Sequence, residues 1–359
     1  MGLNLTTSDQ TNLNALIDEA VVRLKKGEVV AFPTETVYGL GACIDQPLAI
    51  EKIFTTKQRP FFDPLIVHVP DTESAKKCFK DWDLFCDHLA MHFWPGPLTL
   101  VMPKSNLISD MITSGLPNVG VRIPKNETAL KLLQQIGVPL AAPSANKFGQ
   151  TSPTQAMHVE KEFNSIVSGQ VFVIHDQPSQ VGIESTVLFV EKNTDQHTDQ
   201  NTVQYSLSIL RKGIILKSDI EKSLAKTTFK YVWNDQIDKK NAPGHMKHHY
   251  MPAIPFVICK NPALKLSELS QILNQRLNQL PDTVEGVKIV KPTSSISKIE
   301  FLQLSKNPEI AAREIYSQLR LASDRKPQVL CLIQMPHHQS ELWESVFDRL
   351  YKAASLIIE

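Results

Sequence analysis

The chain has 359 residues, more than one ordinary hydrophobic core accommodates, so two domains are expected. Hydrophobic residues make up 42% and charged residues 21%, which is typical of a globular protein. The 38 basic and 37 acidic residues leave a net charge of +1. A protein that works by gripping nucleic acid usually has a marked basic excess, so this balance disfavours a dedicated RNA or DNA binder.

The cysteines and the N-terminal residues bear on the cellular compartment. Five cysteines without a CxxC pair predict neither a disulfide framework nor a zinc site, and buried thiols in a reducing cytosol are expected. The N-terminal residues lack a basic region followed by an apolar run, so no secretory signal is predicted. No apolar stretch reaches the roughly 18 residues of a membrane span, and the expected location is cytoplasmic.

The first 225 residues are predicted to mix strands and helices. Apolar residues at helical spacing predict a helix from Leu13 to Leu24, which Gly27 ends. The other predicted helices cover residues 48–56, 73–92, 127–136 and 154–163. The predicted strands cover residues 28–32, 65–69, 98–102, 119–123, 138–142, 171–174, 186–190 and 205–210. Because this order is not a clean strand–helix–strand repeat, we expect an α/β domain with a mixed sheet over residues 1–225.

The pattern changes in the last third of the chain. Residues 191–202 and 226–241 are polar and predict loops, and the second leads into a His-rich segment bracketed by prolines, Ala242–Pro252. We therefore predict an interdomain linker at residues 226–253. Beyond it, a second domain at residues 254–359 is predicted, and its alternating elements indicate a small parallel sheet. Its predicted strands cover residues 255–259, 287–290 and 329–333, and its predicted helices cover 264–279, 308–322 and 340–355.

Two cations and one small polar loop are candidates for a nucleotide site, although neither a P-loop nor a GxGxxG turn is present. Lys57 and Arg59 lie two residues apart beside prolines that restrict the backbone, and such a pair can hold a polyphosphate. Ser144 and Asn146 follow a predicted strand end, where backbone and side-chain donors can surround phosphates. The sequence therefore predicts that these cations face Ser144 and Asn146.

Other candidate residues have two interpretations each. Arg122 lies in a short apolar strand, and its burial requires an anion, either a protein carboxylate or a substrate. His68 lies in another apolar strand, where a core histidine is the commoner outcome. The segment Pro33–Gly41 offers hydroxyls and two glycines straight after a buried strand, and it is either a ligand loop or a polar turn.

Taken together, seven segments in this order resemble the YrdC/Sua5 family of L-threonylcarbamoyladenylate synthases. These segments are PTETVYGLG (33–41), KQRPFFDPLIVH (57–68), WPGPLT (94–99), GVRIP (120–124), APSAN (142–146), ESTV (184–187) and LRKG (210–213). The segment Ala242–Pro252 resembles the linker of the long, two-domain Sua5 type. The resemblance covers residues 14–252, and it implies a YrdC-like twisted mixed sheet with a cationic cavity, followed by a small Rossmann-like C-terminal α/β domain.

The resemblance also implies an activity. The family is a group of nucleotidyltransferases that condense L-threonine, bicarbonate and ATP into threonylcarbamoyl-AMP and pyrophosphate. The product serves t6A37 modification of tRNA, so downstream threonylcarbamoyl-transferase enzymes are the implied partners, with weak RNA contact and no membrane contact. Mg²⁺ is implied as a cofactor on the ATP phosphates.

Site residues carry over by position in the matching segments. The implied threonine contacts are Thr36, His68, Arg122, Ala142 and Ser185. The implied ATP contacts are Lys57, Arg59, Asp63, Asn118, Ser144, Asn146, Ser152, Arg211 and Tyr250. Lys57 and Arg59 would also be catalytic, because they would offset the charge that grows on pyrophosphate.

Three positions depart from the family pattern, and two other functions compete. Asp63 stands where the family often has Asn, and its carboxylate would repel phosphates unless Mg²⁺ lay between them. Lys212 replaces a common Pro, and His245 replaces a frequent Met. An RNA-binding module could use the same cavity without catalysis, but the near-neutral charge disfavours it. A carbamoyl-transfer enzyme with another acceptor is disfavoured by the Sua5-type linker.

Overall fold

The computed structural model describes residues 7–163, 171–194, 203–236, 249–284, 287–292 and 295–359. A ten-stranded sheet occupies the first part of the chain, and a separate four-stranded sheet occupies the C-terminal part. The domain boundaries at residues 225/226 and 253/254 stay predictions. None of the described helices is both long and apolar enough to cross a membrane.

The large sheet is mixed, as predicted. Its strands are β1 Val30–Phe32, β2 Gly39–Cys43, β3 Ile66–His68, β4 Leu98–Pro103, β5 Asn118–Arg122, β6 Leu140–Ala141, β7 Phe172–Val173, β8 Thr186–Thr194, β9 Val203–Arg211 and β10 Lys230–Trp233. Their spatial order is β10-β9-β8-β4-β5-β3-β6-β2-β1-β7. The β3/β5 and β4/β8 pairs are parallel, whereas β4/β5 and β1/β2 are antiparallel.

Helices pack against this sheet through apolar faces. They are α1 Thr7–Lys25, α2 Pro47–Lys57, α3 Thr72–Cys78, α4 Leu84–Phe93, α5 Asp110–Thr113, α6 Glu127–Ile136, α7 Ala156–Phe163 and α8 Lys217–Leu224. α6 has the predicted bounds because its ends are local. The Asn126 side chain accepts a hydrogen bond from Ala129 N at 2.9 Å, and Gly137 ends the helix at φ +71°. Leu132 and Leu133 on its inner face are fully buried.

The single helix predicted at residues 73–92 is wrong, since the structure has α3 and α4 there. Asp71 caps the first by accepting from Ser74 N, and Asp83 caps the second by accepting from Phe85 N at 3.1 Å. Between them the chain is extended, and Lys80 N donates to Pro103 O at the end of β4. Because apolar residues recur at helical spacing across both helices, the sequence pattern did not indicate the break before the Asp83 cap.

The loop predicted at residues 226–241 is also wrong in part, because it contains β10. This strand lies at the edge of the sheet, where β9 is its one partner among the described strands, and the pair is parallel. Tyr231 and Trp233 pack against the core while Lys230 and Val232 are exposed. The sequence did not predict this strand, because only four residues alternate in burial and they lie within a polar run. Likewise, β8 continues to Thr194, into the first predicted loop.

The C-terminal sheet is parallel, as predicted. Its elements are β11 Phe256–Cys259, α9 Leu266–Arg276, β14 Ile299–Phe301, α10 Pro308–Arg325, β15 Val329–Ile333, α11 Glu341–Ala353 and β16 Leu356–Ile358, with strand order β14-β15-β11-β16. The strand predicted at 287–290 is not part of it. β13 Val287–Lys288 instead pairs antiparallel with β12 Thr283–Val284. All five cysteines of the chain are buried and unpaired, as expected for reduced thiols.

Candidate active site

A small cavity lies among strand ends of the large sheet and the loops that follow them. All five predicted threonine contacts line it, and these are Thr36, His68, Arg122, Ala142 and Ser185. Four predicted nucleotide contacts line it as well, and these are Arg59, Ser144, Arg211 and Tyr250. The remaining predicted residues lie off the cavity wall, and they are Lys57, Asp63, Asn118, Asn146 and Ser152.

The β1–β2 hairpin forms one wall of the cavity. Gly39 and Gly41 on β2 leave room for the ring of Phe32 on β1, because a Cβ on Gly41 would lie 2.7 Å from that ring. At the tip of the hairpin, Thr34 Oγ1 donates to Val37 O at 2.5 Å. The glycines therefore serve packing, and the hydroxyl of Thr34 stabilises the turn that presents Thr36.

Arg122 and His68 are neighbours because β3 and β5 pair in parallel, with His68 in register with Arg122. Arg122 is 3% exposed, and its Nη1 donates to Thr36 Oγ1 at 2.9 Å. Its Nη2 lies 2.8 Å from Glu35 Oε1 in a buried ion pair. Of the two anions considered for Arg122, the structure therefore contains the protein carboxylate. Nε and Nη2 nevertheless lack a well-aligned acceptor among the described residues, so donor capacity remains.

Arg59 is held beside the cavity by Asp63. Arg59 Nη2 lies 2.9 Å from Asp63 Oδ2 and donates to Pro64 O at 2.9 Å. The Asp63 side chain is fully buried and lies off the cavity wall. The carboxylate that departs from the family pattern is thus neutralised by an arginine of the site. Its predicted contact with ATP stays a prediction.

Lys57, at the end of α2, contacts the loop that was predicted to face it. Its Nζ lies 2.5 Å from Ser144 O and also donates to Asn146 O. Burial, followed by repulsion from Arg59, holds the pKa of Lys57 well below its usual range. The predicted proximity is therefore observed, but the amino group contacts backbone carbonyls, and Lys57 is 1% exposed. Lys57 braces the loop that presents Ser144.

Arg211 and Ser185 form a second fixed pair. Arg211 Nε donates to Ser185 O and its Nη2 to Ser185 Oγ, each at 3.0 Å. Ser185 Oγ is also 2.8 Å from Thr99 Oγ1. Burial lowers the pKa of Arg211, yet an arginine stays charged at any working pH. This cation consequently lines the cavity with its guanidinium already oriented.

Tyr250 covers one side of the cavity from outside the large sheet. It is 1% exposed, and its φ of +66° is rare for a residue with a side chain. Thr151 Oγ1 donates to Tyr250 O at 3.1 Å, and Met251 N donates to Gly149 O at 2.8 Å. These bonds fasten the segment around Tyr250 to the loop after Asn146. Residues 237–248 of the predicted linker, which include His245, lie outside the described residues.

Comparison with known protein families identifies the family to which this chain belongs. The family model Sua5_yciO_yrdC, described as telomere recombination, matches residues 22–213. A second model, described as threonylcarbamoyl-AMP synthase, C-terminal domain, matches residues 215–355. The chain belongs to the threonylcarbamoyl-AMP synthase family.

Relatives within this family match most of the chain. The threonylcarbamoyl-AMP synthase of Pyrococcus abyssi is 34% identical over 316 residues, which cover 86% of this chain and 87% of that protein. That of Bacillus subtilis is 32% identical over 352 residues, covering 97% and 95%. The crystal structure of Pyrococcus abyssi Sua5 with L-threonine aligns at a TM-score of 0.74 and 30% identity, over 96% of both chains. These matches confirm the predicted family, fold class and enzymatic activity.

Three buried residues of this family member were not singled out from the sequence. Glu35 pairs with Arg122, Glu184 lines the cavity, and His249 lies between Tyr250 and the loop near Phe148. Glu35 and Glu184 lie in two of the seven segments that resemble the family. The signal that could have identified them was a carboxylate among residues that were otherwise expected to bind anions. His249 lies in the quoted His-rich segment next to Tyr250 and also lines the cavity, but its burial depends on packing against the loop near Phe148, which the sequence does not show.

His68 gives this family member a pH-dependent stability. Burial, followed by the charge of Arg122, lowers the pKa of His68 to about 3, so the folded imidazole is neutral. The unfolded state binds a proton near pH 6.5, and stability therefore falls as pH falls from there towards 3. Between about pH 7.5 and about pH 5.5 we expect His68 to account for a loss of about 1.4 kcal/mol.

Denaturant unfolding at the two pH values measures this loss. His68→Asn should remove that part of the pH dependence, whereas His92→Asn, at an exposed position on α4, should leave it unchanged. An identical pH dependence in wild type and His68→Asn would refute the assignment.

Proposed function

We propose that this chain condenses L-threonine, bicarbonate and ATP into threonylcarbamoyl-AMP and pyrophosphate, for t6A37 modification of tRNA. The observation that carries the proposal is one cavity with two groups of oriented arginines. Arg122 is next to Thr36 and His68, whereas Arg59 and Arg211 line the same cavity together with Tyr250. A reaction that joins an amino acid to a nucleotide requires two such anion sites in one enclosure.

The Arg122 side suits threonine. The guanidinium retains donors for the amino-acid carboxylate, and the nearby Thr36 hydroxyl and neutral His68 imidazole can hydrogen bond to the amine or hydroxyl of the substrate. Ala142 and Ser185 complete this part of the wall. The small Ala142 side chain leaves room for the substrate, and the 30% identical relative was crystallised with L-threonine.

The Arg59 side suits ATP. Arg59, Ser144 and Arg211 would contact the phosphates, and Tyr250 would cover the nucleotide. We assign the predicted nucleotide residues off the wall to a supporting layer, because their side chains contact the wall residues or their loops. Lys57 and Asn146 brace the Ser144 loop, Asp63 orients Arg59, and Ser152 hydrogen bonds to Glu184. Asn118, opposite Pro103, would act at most indirectly.

The proposed chemistry needs positioning and charge stabilisation more than a reactive side chain. The threonine amine takes up the carbon of bicarbonate as a carbamate, with loss of water. A carbamate oxygen then forms a bond to the α-phosphorus, and the bond to pyrophosphate breaks. Arg59 would offset the charge that grows on the leaving pyrophosphate, and Lys57 would act by holding the Ser144 loop in place.

We propose that Mg²⁺ enters with ATP. The carboxylate on the cavity wall, Glu184, is already paired with Arg349, and the described residues contain no cluster of His, Cys, Asp or Glu that could hold a metal. Mg²⁺ commonly binds through substrate phosphates and water, without a cage of protein ligands, and the site fits that mode. When bound, it would neutralise part of the triphosphate charge beside Arg59 and Arg211.

The decisive assay follows pyrophosphate release by the purified chain. Release from ATP is expected only when L-threonine and bicarbonate are both present, because carbamate formation precedes attack on the α-phosphorus. Omission of either should reduce release to background, and mass spectrometry should detect threonylcarbamoyl-AMP in the complete mixture. Pyrophosphate release that is indifferent to threonine would refute the substrate assignment.

A further inference from the structure

We infer that Arg349 and Tyr316, from the C-terminal part of the chain, are positioning residues for the nucleotide side of the cavity, because they neutralise and orient Glu184. This inference rests on the proposed function. The C-terminal part would thereby affect ATP binding through one carboxylate of the cavity wall, that of Glu184.

The contacts between the two parts of the chain are short and buried. Arg349, on α11, is fully buried, and its Nε lies 3.1 Å from Glu184 Oε2. Tyr316, on α10, is also fully buried and donates its hydroxyl to Glu184 Oε2 at 2.9 Å. From the other side, Ser152 Oγ donates to Glu184 Oε1 at 2.6 Å. The carboxylate is thus held by three side chains from three different segments.

The charge of Glu184 makes this arrangement consequential for ATP. Burial opposes ionisation, but Arg349 and then Arg211 hold the pKa of Glu184 below its usual range, so the carboxylate is charged. It lines the cavity that we assign to ATP. Without Arg349, the Glu184 carboxylate would repel the triphosphate. It would also draw Arg211 away from the triphosphate.

Arg349 also lies behind the residue that covers the nucleotide side. Its guanidinium carbon is 5.9 Å from the centre of the Tyr250 ring, and the Tyr250 and Tyr316 rings are 5.6 Å apart. Asp348 is a second partner of Arg349, with 2.9 Å between Oδ2 and Nη1. Arg349 and Tyr316 therefore support both Glu184 and Tyr250 at the same wall, and Asp348 helps to orient the arginine.

The test is a charge-rescue experiment on the full chain, read out as separate KM values for ATP and threonine. Arg349→Met should raise the KM for ATP about tenfold, because an unpaired carboxylate is left beside the phosphates, and should change the KM for threonine much less. Adding Glu184→Gln in the same chain should restore most of the ATP affinity, since it removes the repelling charge and keeps an acceptor for Ser152 and Tyr316. A merely structural role would not produce rescue specific to ATP.

Milder variants keep the test informative if Arg349→Met fails to fold. Tyr316→Phe removes one hydrogen bond to Glu184 and keeps the ring, and it should raise the KM for ATP by roughly threefold. Tyr351→Phe is the matched control on α11, because the Tyr351 hydroxyl donates to Gln334 at 2.7 Å and not to Glu184. It should leave both KM values unchanged. Calorimetric titration with ATP checks the same affinities without turnover.

The outcomes separate this inference from the proposed function. Wild-type chain that releases no pyrophosphate in response to threonine would refute both. Normal wild-type turnover with an unchanged ATP affinity in Tyr316→Phe and in any folded Arg349→Met would refute the inference alone. Failure of Glu184→Gln to improve the ATP affinity of Arg349→Met would refute it as well.

Discussion

Arg59→Met is expected to reduce the rate of pyrophosphate release by roughly a hundredfold or more, because it removes an oriented cation that offsets charge on the leaving group. The same change leaves the Asp63 carboxylate fully buried without its ion pair. We therefore also expect the free energy of unfolding to fall by about 3–5 kcal/mol. Steady-state kinetics and denaturant unfolding measure the two effects separately.

A double variant separates catalysis from folding at this position. Adding Asp63→Asn to Arg59→Met removes the unpaired charge, so most of the lost stability should return while turnover stays low. Recovery of turnover together with stability would show that Arg59 acts only through the fold, and its proposed role at the phosphates would then be wrong.

Arg122→Met should raise the KM for threonine by roughly tenfold to a hundredfold, which is the range expected when a charge-assisted hydrogen bond to a carboxylate is lost. Its effect on the KM for ATP should be small, because Arg122 contacts Thr36 and Glu35 and no residue of the proposed nucleotide side. Substrate titrations with the other two substrates saturating give both constants.

Glu35 supplies the control for Arg122→Met. The single variant leaves this 6% exposed carboxylate unpaired and should be less stable than wild type. Adding Glu35→Gln should restore stability without restoring threonine affinity. An unchanged KM for threonine in Arg122→Met would show that the substrate carboxylate binds elsewhere.

Arg59, Arg122 and Arg349 have a common arrangement, since each is paired with a buried carboxylate of the same chain. Paired charges do not make a strongly positive cavity, which agrees with the near-neutral composition of the chain. Their benefit is orientation, because a guanidinium held by a carboxylate needs little reorganisation when an anionic substrate arrives. The pairs also explain how so many arginines can be buried around one cavity.

The sequence by itself determined the family, the mixed sheet, the parallel C-terminal sheet and most of the cavity wall. These features depend on signals that are local or repeated along the chain. The Asn126 cap and Gly137 define α6, and the order of seven short segments identifies the family. Lys57 could be matched with the Ser144 loop because both belong to those segments.

Only the tertiary structure decided which partner each buried charge has. Burial of an ionised side chain demands a counter-charge, but several carboxylates could meet that demand, and the choice depends on which loops pack together. Glu35 pairs with Arg122, and Glu184 pairs with Arg349, which is 165 residues away in the chain. Local periodicity contains no information on such contacts, so the effect of the C-terminal part on the cavity became visible only in the folded chain.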